Sequence, residues 1–324
     1  MKLRFLFLLF VANTLLAGEA PVLNIDQSRI TASGISAGAQ MAHQLHIAYS
    51  DIFSGVGIIS GGPYNCADNS MLTALSRCMM NIDKPLPVAE FVAGIRASAE
   101  TGRVADTENL ADDRVWLFHG IQDSKISALV HNAAAALYTE FIPAEQIKRV
   151  DNVVADHVFP AQGRGHGCTE MVSPFVGDCD YDGAGELLAY LYPGLETPDA
   201  EAETGLLEVA LPGADGADLV DKAYLYVPAA CSGGKTACAL HMVLHGCAQS
   251  AETIGTEFIE QSGYLPWAEA NDIVMAFPQV EASMVAPLNP HACWDWWGYT
   301  GDDYSTREGK QMKVLVNWIN DLSQ

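Results

Sequence analysis

The chain has 324 residues, 49% hydrophobic and 18% charged, which is apolar enough for a sizeable core and rules out global disorder. Lys and Arg number 17 against 40 Asp and Glu, a formal charge of −23. That sign repels phosphate backbones and anionic lipid, so it argues against nucleic acid or membrane partners and suits a neutral substrate.

The first segment reads as an address. Lys2 and Arg4 give a positive start, Phe5 to Leu16 is largely apolar, and the small residues Ala17, Gly18 and Ala20 offer cleavage positions. This pattern predicts a secretory signal peptide over residues 1–17, cut between 17 and 20, and a mature domain over 21–324. An uncleaved anchor is the competing reading, and the run is too short for a comfortable bilayer span. No Cys follows the small residues, so no lipid anchor is expected. The expected location is extracellular or periplasmic.

All eight cysteines fall in the mature part, at 66, 78, 168, 179, 231, 238, 247 and 293. An even count in an exported chain favours disulfides over zinc, and no C-x-x-C pair is present. Proximity suggests Cys66–Cys78, Cys168–Cys179 and Cys231–Cys238, which leaves Cys247–Cys293. No metal or organic cofactor is expected.

Arg29-Ile30-Thr31-Ala32 reads as a short strand, and Ala39 to Ala48 as a helix. Between them stands Gly34-Ile35-Ser36-Ala37-Gly38, a G-x-S-x-G sequence. Strand, sharp turn and helix form the setting of a nucleophile elbow, with glycines that let the backbone turn and a helix N-terminus beside the serine. A Gly/Ser turn without chemistry is the bland alternative. A serine hydroxyl needs a base, and the elbow's fold orders its partners as Ser, acid, His along the chain. Val115 to Phe118 is a buried-strand pattern that runs into His119-Gly120-Ile121-Gln122-Asp123, which makes Asp123 the acid. Ile147 to Val150 is a further strand, and His157 beyond it is the base. The rivals are His166 as base and Asp113, Asp151 and Asp156 as acids, the three acids reading as solvated carboxylates. His119 reads as a loop support.

Ser36 comes 19 residues after Ala17, room for one strand, whereas an ordinary α/β-hydrolase has several before its elbow. The C-terminal third supplies candidates. Leu206 to Leu211 and Lys222 to Val227 alternate as strands around a turn at 212–216. Ala239 to Leu244 runs into His245-Gly246-Cys247-Ala248-Gln249, and Asp272 to Phe277 ends at Pro278. These predict a circularly permuted α/β-hydrolase fold in one catalytic domain, with the permutation joint near 193–205; two independent domains are the alternative. The N–H of Ala37 and that of Cys247 are then the two oxyanion-hole donors. Cys293-Trp294-Asp295-Trp296-Trp297 holds three of the six tryptophans, which predicts an aromatic groove for an apolar substrate, with core packing as the alternative. Asp295 is given a local hydrogen-bonding role. Pro63 to Asp112 reads as helices over the site, or as a purely structural excursion.

The elbow followed by Ala39-Gln40-Met41, together with Gly61-Gly62-Pro63-Tyr64-Asn65-Cys66, His245-Gly246-Cys247-Ala248-Gln249 and Cys293-Trp294-Asp295-Trp296, resembles secreted polyhydroxybutyrate (PHB) depolymerases of the single-domain, circularly permuted type. The likeness covers most of the mature chain. It implies Ser36, Asp123 and His157 as triad, Ala37 and Cys247 as oxyanion hole, and a crevice for one polyester chain lined by Trp294, Trp296 and Trp297. It further implies a polyester or oligoester partner adsorbed on the catalytic domain's own surface. Feruloyl and acetyl esterases of plant polysaccharide share similar motifs and form the alternative. A non-catalytic polymer-binding protein on the same scaffold is the alternative of another class, and nothing in that role demands the ordered trio.

Overall fold

A computed structural model describes residue 18 and residues 20–80, 84–199, 202 and 205–323. The expected signal peptide over 1–17 lies outside the described residues. In chain order the elements are β1 Ile25–Ile35, α1 Ala37–Ala48, β2 Gly55–Ile59, α2 Met71–Arg77, α3 Val88–Glu100, β3 Arg114–Phe118, α4 Ala128–Tyr138, β4 Ile147–Val150, β5 Phe159–Ala161, β6 His166–Gly167, β7 Val176–Asp178 and α5 Gly183–Leu191. The second half adds β8 Leu206–Ala210, β9 Leu219–Tyr226, β10 Cys238–Leu244, α6 Ala251–Ile254, α7 Glu257–Gln261, α8 Tyr264–Ala270, β11 Ile273–Val280 and α9 Lys310–Leu322.

Eight strands form one sheet in the order β4-β3-β2-β1-β10-β11-β9-β8. β9 is antiparallel to both its neighbours, and every other pair is parallel. A parallel sheet is buried on both faces, so its strands carry apolar side chains in both directions. β3 places Val115 and Leu117 in one core and Trp116 and Phe118 in the other. β10 does the same with Leu240, Met242 and Leu244 against Ala239 and Val243. The first core lies under α1, α3, α4 and α9, and the second under α5, α7 and α8. α9 is held by Met312, Leu315, Ile319 and Leu322, a helical stripe of fully buried residues.

Counted from the β8 edge, a hairpin leads into β11 and β10, and β1 to β4 follow. This is the α/β-hydrolase sheet with the last strands of the chain in the opening positions. β1 registers against β10 from Ile30↔Leu240 to Gly34↔Leu244, so the strand that delivers Ser36 is paired to one that arrives two hundred residues later. The ends also meet, because the Leu23 N–H donates to the Leu322 carbonyl at 2.8 Å. The segment 193–205 connects α5 to β8; Glu196 within it is held by Asn271 through a pair of bonds of 2.7 and 2.9 Å. Residues 200, 201, 203 and 204 of that segment lie outside the described residues.

Two differences from the sequence reading concern this sheet. β1 is longer than Arg29 to Ala32, extending from Ile25 because its outer end pairs with Cys238. β2 lies outside the expected strands, since Gly55-Val56-Gly57-Ile58-Ile59 carries two strand-weakening glycines. Gly57 is there for space: a Cβ on it would sit 2.3 Å from Leu187 Cδ1 of α5. A second sheet, β5-β7-β6, follows His157 directly, and the Cys168–Cys179 bridge pins it. The other bridges are Cys66–Cys78, Cys231–Cys238 and Cys247–Cys293. Among the described residues no helix is long and apolar enough to cross a membrane.

Candidate active site

The elbow follows from two glycines. A Cβ on Gly34 would lie 2.3 Å from the Gly38 carbonyl carbon, and one on Gly38 would lie 2.1 Å from the Leu244 carbonyl oxygen. No side chain fits at either position, so the turn closes tightly between β1 and α1 and against the end of β10. Ser36 sits at the turn with φ 59 and ψ −120, a backbone conformation worth about 1–3 kcal/mol of strain in a residue with a side chain. Its N–H donates to the Ile59 carbonyl at 3.0 Å, which fixes the turn to β2. Ser36 occupies the N-cap position of α1, yet its hydroxyl makes no capping bond. It lines the cavity instead.

Asp123 follows β3 in a loop folded around its carboxylate. Oδ1 accepts from the N–H groups of Lys125 at 2.9 Å and Ile126 at 2.8 Å. His157 Nδ1 lies 3.1 Å from both carboxylate oxygens. A carboxylate only accepts, so Nδ1 carries the proton and Nε2 keeps its lone pair. Burial alone would raise the Asp123 carboxyl, but the hydrogen bond and charge of His157 and the bond from Ile126 outweigh it and hold the group at about 2. The His157 backbone is itself fixed, its N–H donating to Asp156 Oδ1 at 2.7 Å. Ser36 and His157 line the same cavity of about 460 Å³.

The rivals fall elsewhere. His166 is exposed on β6. Asp113 is buried, contrary to its reading as a solvated carboxylate, because His46 of α1 needs it: His46 Nε2 lies 3.0 Å from Asp113 Oδ2. Asp151 pairs with Arg149 at the surface. Asp156 binds the Ser124 and His157 N–H groups rather than an imidazole. His119 supports the Asp123 loop as expected, through a 2.9 Å contact from Nε2 to the Ile126 carbonyl.

Cys247 reaches the site through the permuted half. The neighbouring N–H groups are both occupied: Gly246 donates to Gln249 Oε1 at 2.7 Å and Ala248 to the His291 carbonyl at 2.6 Å. His245 locks the loop from below. Its Nδ1 donates to the Gly246 carbonyl at 2.8 Å and its Nε2 accepts from the Val280 N–H of β11 at 3.3 Å. Burial pushes this imidazole down to about 4, so it stays neutral and keeps both bonds. Gln249 extends the lock, donating to the Pro174 carbonyl at 2.8 Å. Sequence reasoning does not reach these two supports, although a Gln three residues after Gly246 is the spacing such a side chain needs to fold back on the loop. The Cys247–Cys293 bridge joins it to the tryptophan segment.

Cys247, Ser36 and Ala37 also line a second cavity of about 390 Å³, which shares Ser36, Met79, Cys247 and His291 with the first. Its walls are Met71, Leu75 and Met79 in and after α2, and Trp296 and Trp297 opposite. Within the excursion over 63–112, the stretch 71–79 therefore forms a crevice wall. Trp294 departs from expectation. It is fully buried, its ring 5.4 Å from that of His245, and it belongs to the core rather than to the groove. Asp295 between them accepts from Gly298, Tyr299 and Thr300, a buried local brace whose carboxyl burial raises. Among the described residues no cluster of His, Cys, Asp or Glu is placed to hold a metal ion.

No protein-family model matches the chain. It is 34% identical over 312 residues to the poly(3-hydroxybutyrate) depolymerase of Delftia acidovorans, spanning 95% of this chain but only 62% of that protein's length. It is 33% identical over 320 residues to the polyhydroxybutyrate depolymerase of Talaromyces funiculosus, spanning 94% of this chain and 93% of that one. The crystal structure of PHB depolymerase from Penicillium funiculosum superposes with a TM-score of 0.88 at 32% identity, over 94% of this chain and 98% of that chain. A PHB depolymerase complexed with R3HB trimer gives the same TM-score at 31% identity and the same coverage. Shared identity at this level, sustained along nearly the whole of the Talaromyces protein and matched by the close superposition, places the chain in one group: it belongs to the polyhydroxybutyrate depolymerase family.

Proposed function

We propose that this chain is an exported serine esterase that hydrolyses poly(3-hydroxybutyrate) or its oligomers. Ser36 Oγ attacks the ester carbonyl while His157 Nε2 takes its proton, and Asp123 holds the imidazole in that tautomer. The N–H groups of Ala37 and Cys247 receive the oxyanion. His157 then returns the proton to the leaving alcohol oxygen, and water, deprotonated by the same imidazole, releases the hydroxy acid from Ser36. Trp296, Trp297 and the α2 wall hold the methyl-bearing chain. A signal peptide over 1–17 exports the single domain over 21–324, and 193–205 is the permutation joint.

The observation that carries this reading is a capless Ser36 hydroxyl lining one cavity with His157, whose Nδ1 is bound to the fully buried carboxylate of Asp123. The apolar second cavity beside it supports a polyester over a sugar ester, because a polysaccharide would leave its hydroxyls unpaired against methionine and tryptophan. The test is turbidity clearing of amorphous PHB, run beside acetyl-xylan and a feruloyl ester. Clearing with release of hydroxybutyrate is expected. Hydrolysis of the sugar esters alone would move the chain to the carbohydrate esterases, and binding of PHB without hydrolysis would leave a polymer-binding protein.

A further inference from the structure

The two cavities beside Ser36 share Met79, Cys247 and His291 and differ in the rest of their lining. The one bounded by α2 and the tryptophans is apolar and contains the oxyanion donors but not His157. The other contains His157, and with it Lys125, Met171 and Phe175. The base that deprotonates Ser36 must later protonate the leaving alkoxide, so the alcohol half of the ester lies on the His157 side and the acyl half on the apolar side. A 3-hydroxyalkanoate chain has direction. Each ester's alcohol half continues toward the end that carries the free carboxylate.

Lys125 stands on that side. Its backbone is pinned to the catalytic acid, its N–H donating to Asp123 Oδ1 at 2.9 Å. Its side chain is half-buried, and it makes no ion pair among the described residues. Among the described residues no Asp or Glu lines this cavity, in a chain where acids outnumber Lys and Arg by more than two to one. A cation without a counterion in an acid-free cavity at the leaving-group side calls for an anionic leaving unit. We propose that Lys125 binds the terminal carboxylate of a 3-hydroxyalkanoate oligomer, so that the enzyme favours the ester bonds nearest the carboxylate end. A bound carboxylate exchanges water for a charge-assisted hydrogen bond in a partly dehydrated site, where such a bond is stronger than at an open surface.

This inference rests on the hydrolase reading of the site, and the experiment separates the two. Wild type, Lys125→Met and Lys125→Arg are each given the 3-hydroxybutyrate trimer as the free acid and as its methyl ester, at low and high salt. Within each protein the readout is the ratio of kcat/KM for the two substrates. Wild type should favour the free acid by about five- to tenfold at low salt, with the preference shrinking as salt rises. The ratio should fall to about one in Lys125→Met and persist in Lys125→Arg, since the arginine keeps the charge. With a labelled carboxyl-terminal unit, wild type should release label first. Equal rates on both trimers in wild type, or an undiminished ratio in Lys125→Met, would overturn the inference and leave the hydrolase intact. Failure of wild type to cleave either trimer, or p-nitrophenyl butyrate as a control, would overturn the hydrolase reading and this one with it.

Discussion

Asp123 is the residue on which the proposed chemistry turns, because it decides which imidazole nitrogen carries the proton. Its carboxylate is held at about 2, so it stays ionised throughout the range in which an esterase works. The acid limb of a rate profile therefore does not come from this carboxylate. An amide at 123 keeps the shape but can offer an N–H to Nδ1, which would put the imidazole proton on Nε2 and abolish the base. Asp123→Asn should lower kcat on a soluble ester by about 10⁴-fold with little change in melting temperature. A loss under tenfold would remove Asp123 from the triad. At this scale the chemistry-bearing residues are legible, since the order Ser, acid, His selects Ser36, Asp123 and His157 from nine histidines and a surplus of acids. What the sequence hides is environment. Trp294 and Trp296 look alike in one aromatic run, yet one is wholly in the core and the other lines the cavity. Nothing in the sequence marks Lys125; only the folded loop around Asp123 sets it in one cavity with His157.

Among the elements, the elbow depends on contacts between halves of the chain. Gly38 touches the carbonyl at the end of β10, and backbone on backbone cannot yield as a flexible side chain can. Gly38→Ala should cost about 3 kcal/mol or more in urea unfolding, near the upper end for overpacking. A midpoint equal to wild type would show that the elbow and β10 are not in such contact. Strands β3 and β8 to β11 are legible because they are apolar runs or alternate with period two. β2 is not, since its glycines answer to α5 packed above it rather than to any local preference. The α2 wall is legible only as an excursion. Its apolar side chains, Leu72 and Leu75 among them, face the crevice mouth and solvent, so no core-facing period marks it.

For the whole molecule, four buried histidines set a limit on acid stability. Burial lowers His43, His131 and His241 to about 3 and His245 to about 4, against 6.5 when exposed. Between those values the unfolded chain binds protons that the folded chain does not. Stability therefore falls as pH drops below about 6.5, and the loss is complete once pH passes the folded values. Each such proton contributes a slope of about 1.4 kcal/mol per pH unit, so four act together steeply. Asp123, depressed from 3.8 to about 2, adds its loss in the lowest part of the range. Unfolding free energy measured against pH between 6 and 4 should show uptake of about four protons; uptake of less than one would mean these imidazoles are solvated. The circular order of the sheet is legible at this scale from a shortage, because one strand before the elbow cannot complete a two-faced parallel sheet. Its closure, with residue 23 bonded to residue 322, is a product of the folded chain that no local pattern announces.

The measurement that bears most directly on the account is covalent labelling of the folded protein by a serine-directed phosphonate, read by intact mass and peptide mapping. One adduct per chain is expected, on Ser36, absent in Ser36→Ala and strongly slowed in His157→Ala. An adduct on another serine, or equal labelling of Ser36→Ala, would contradict it.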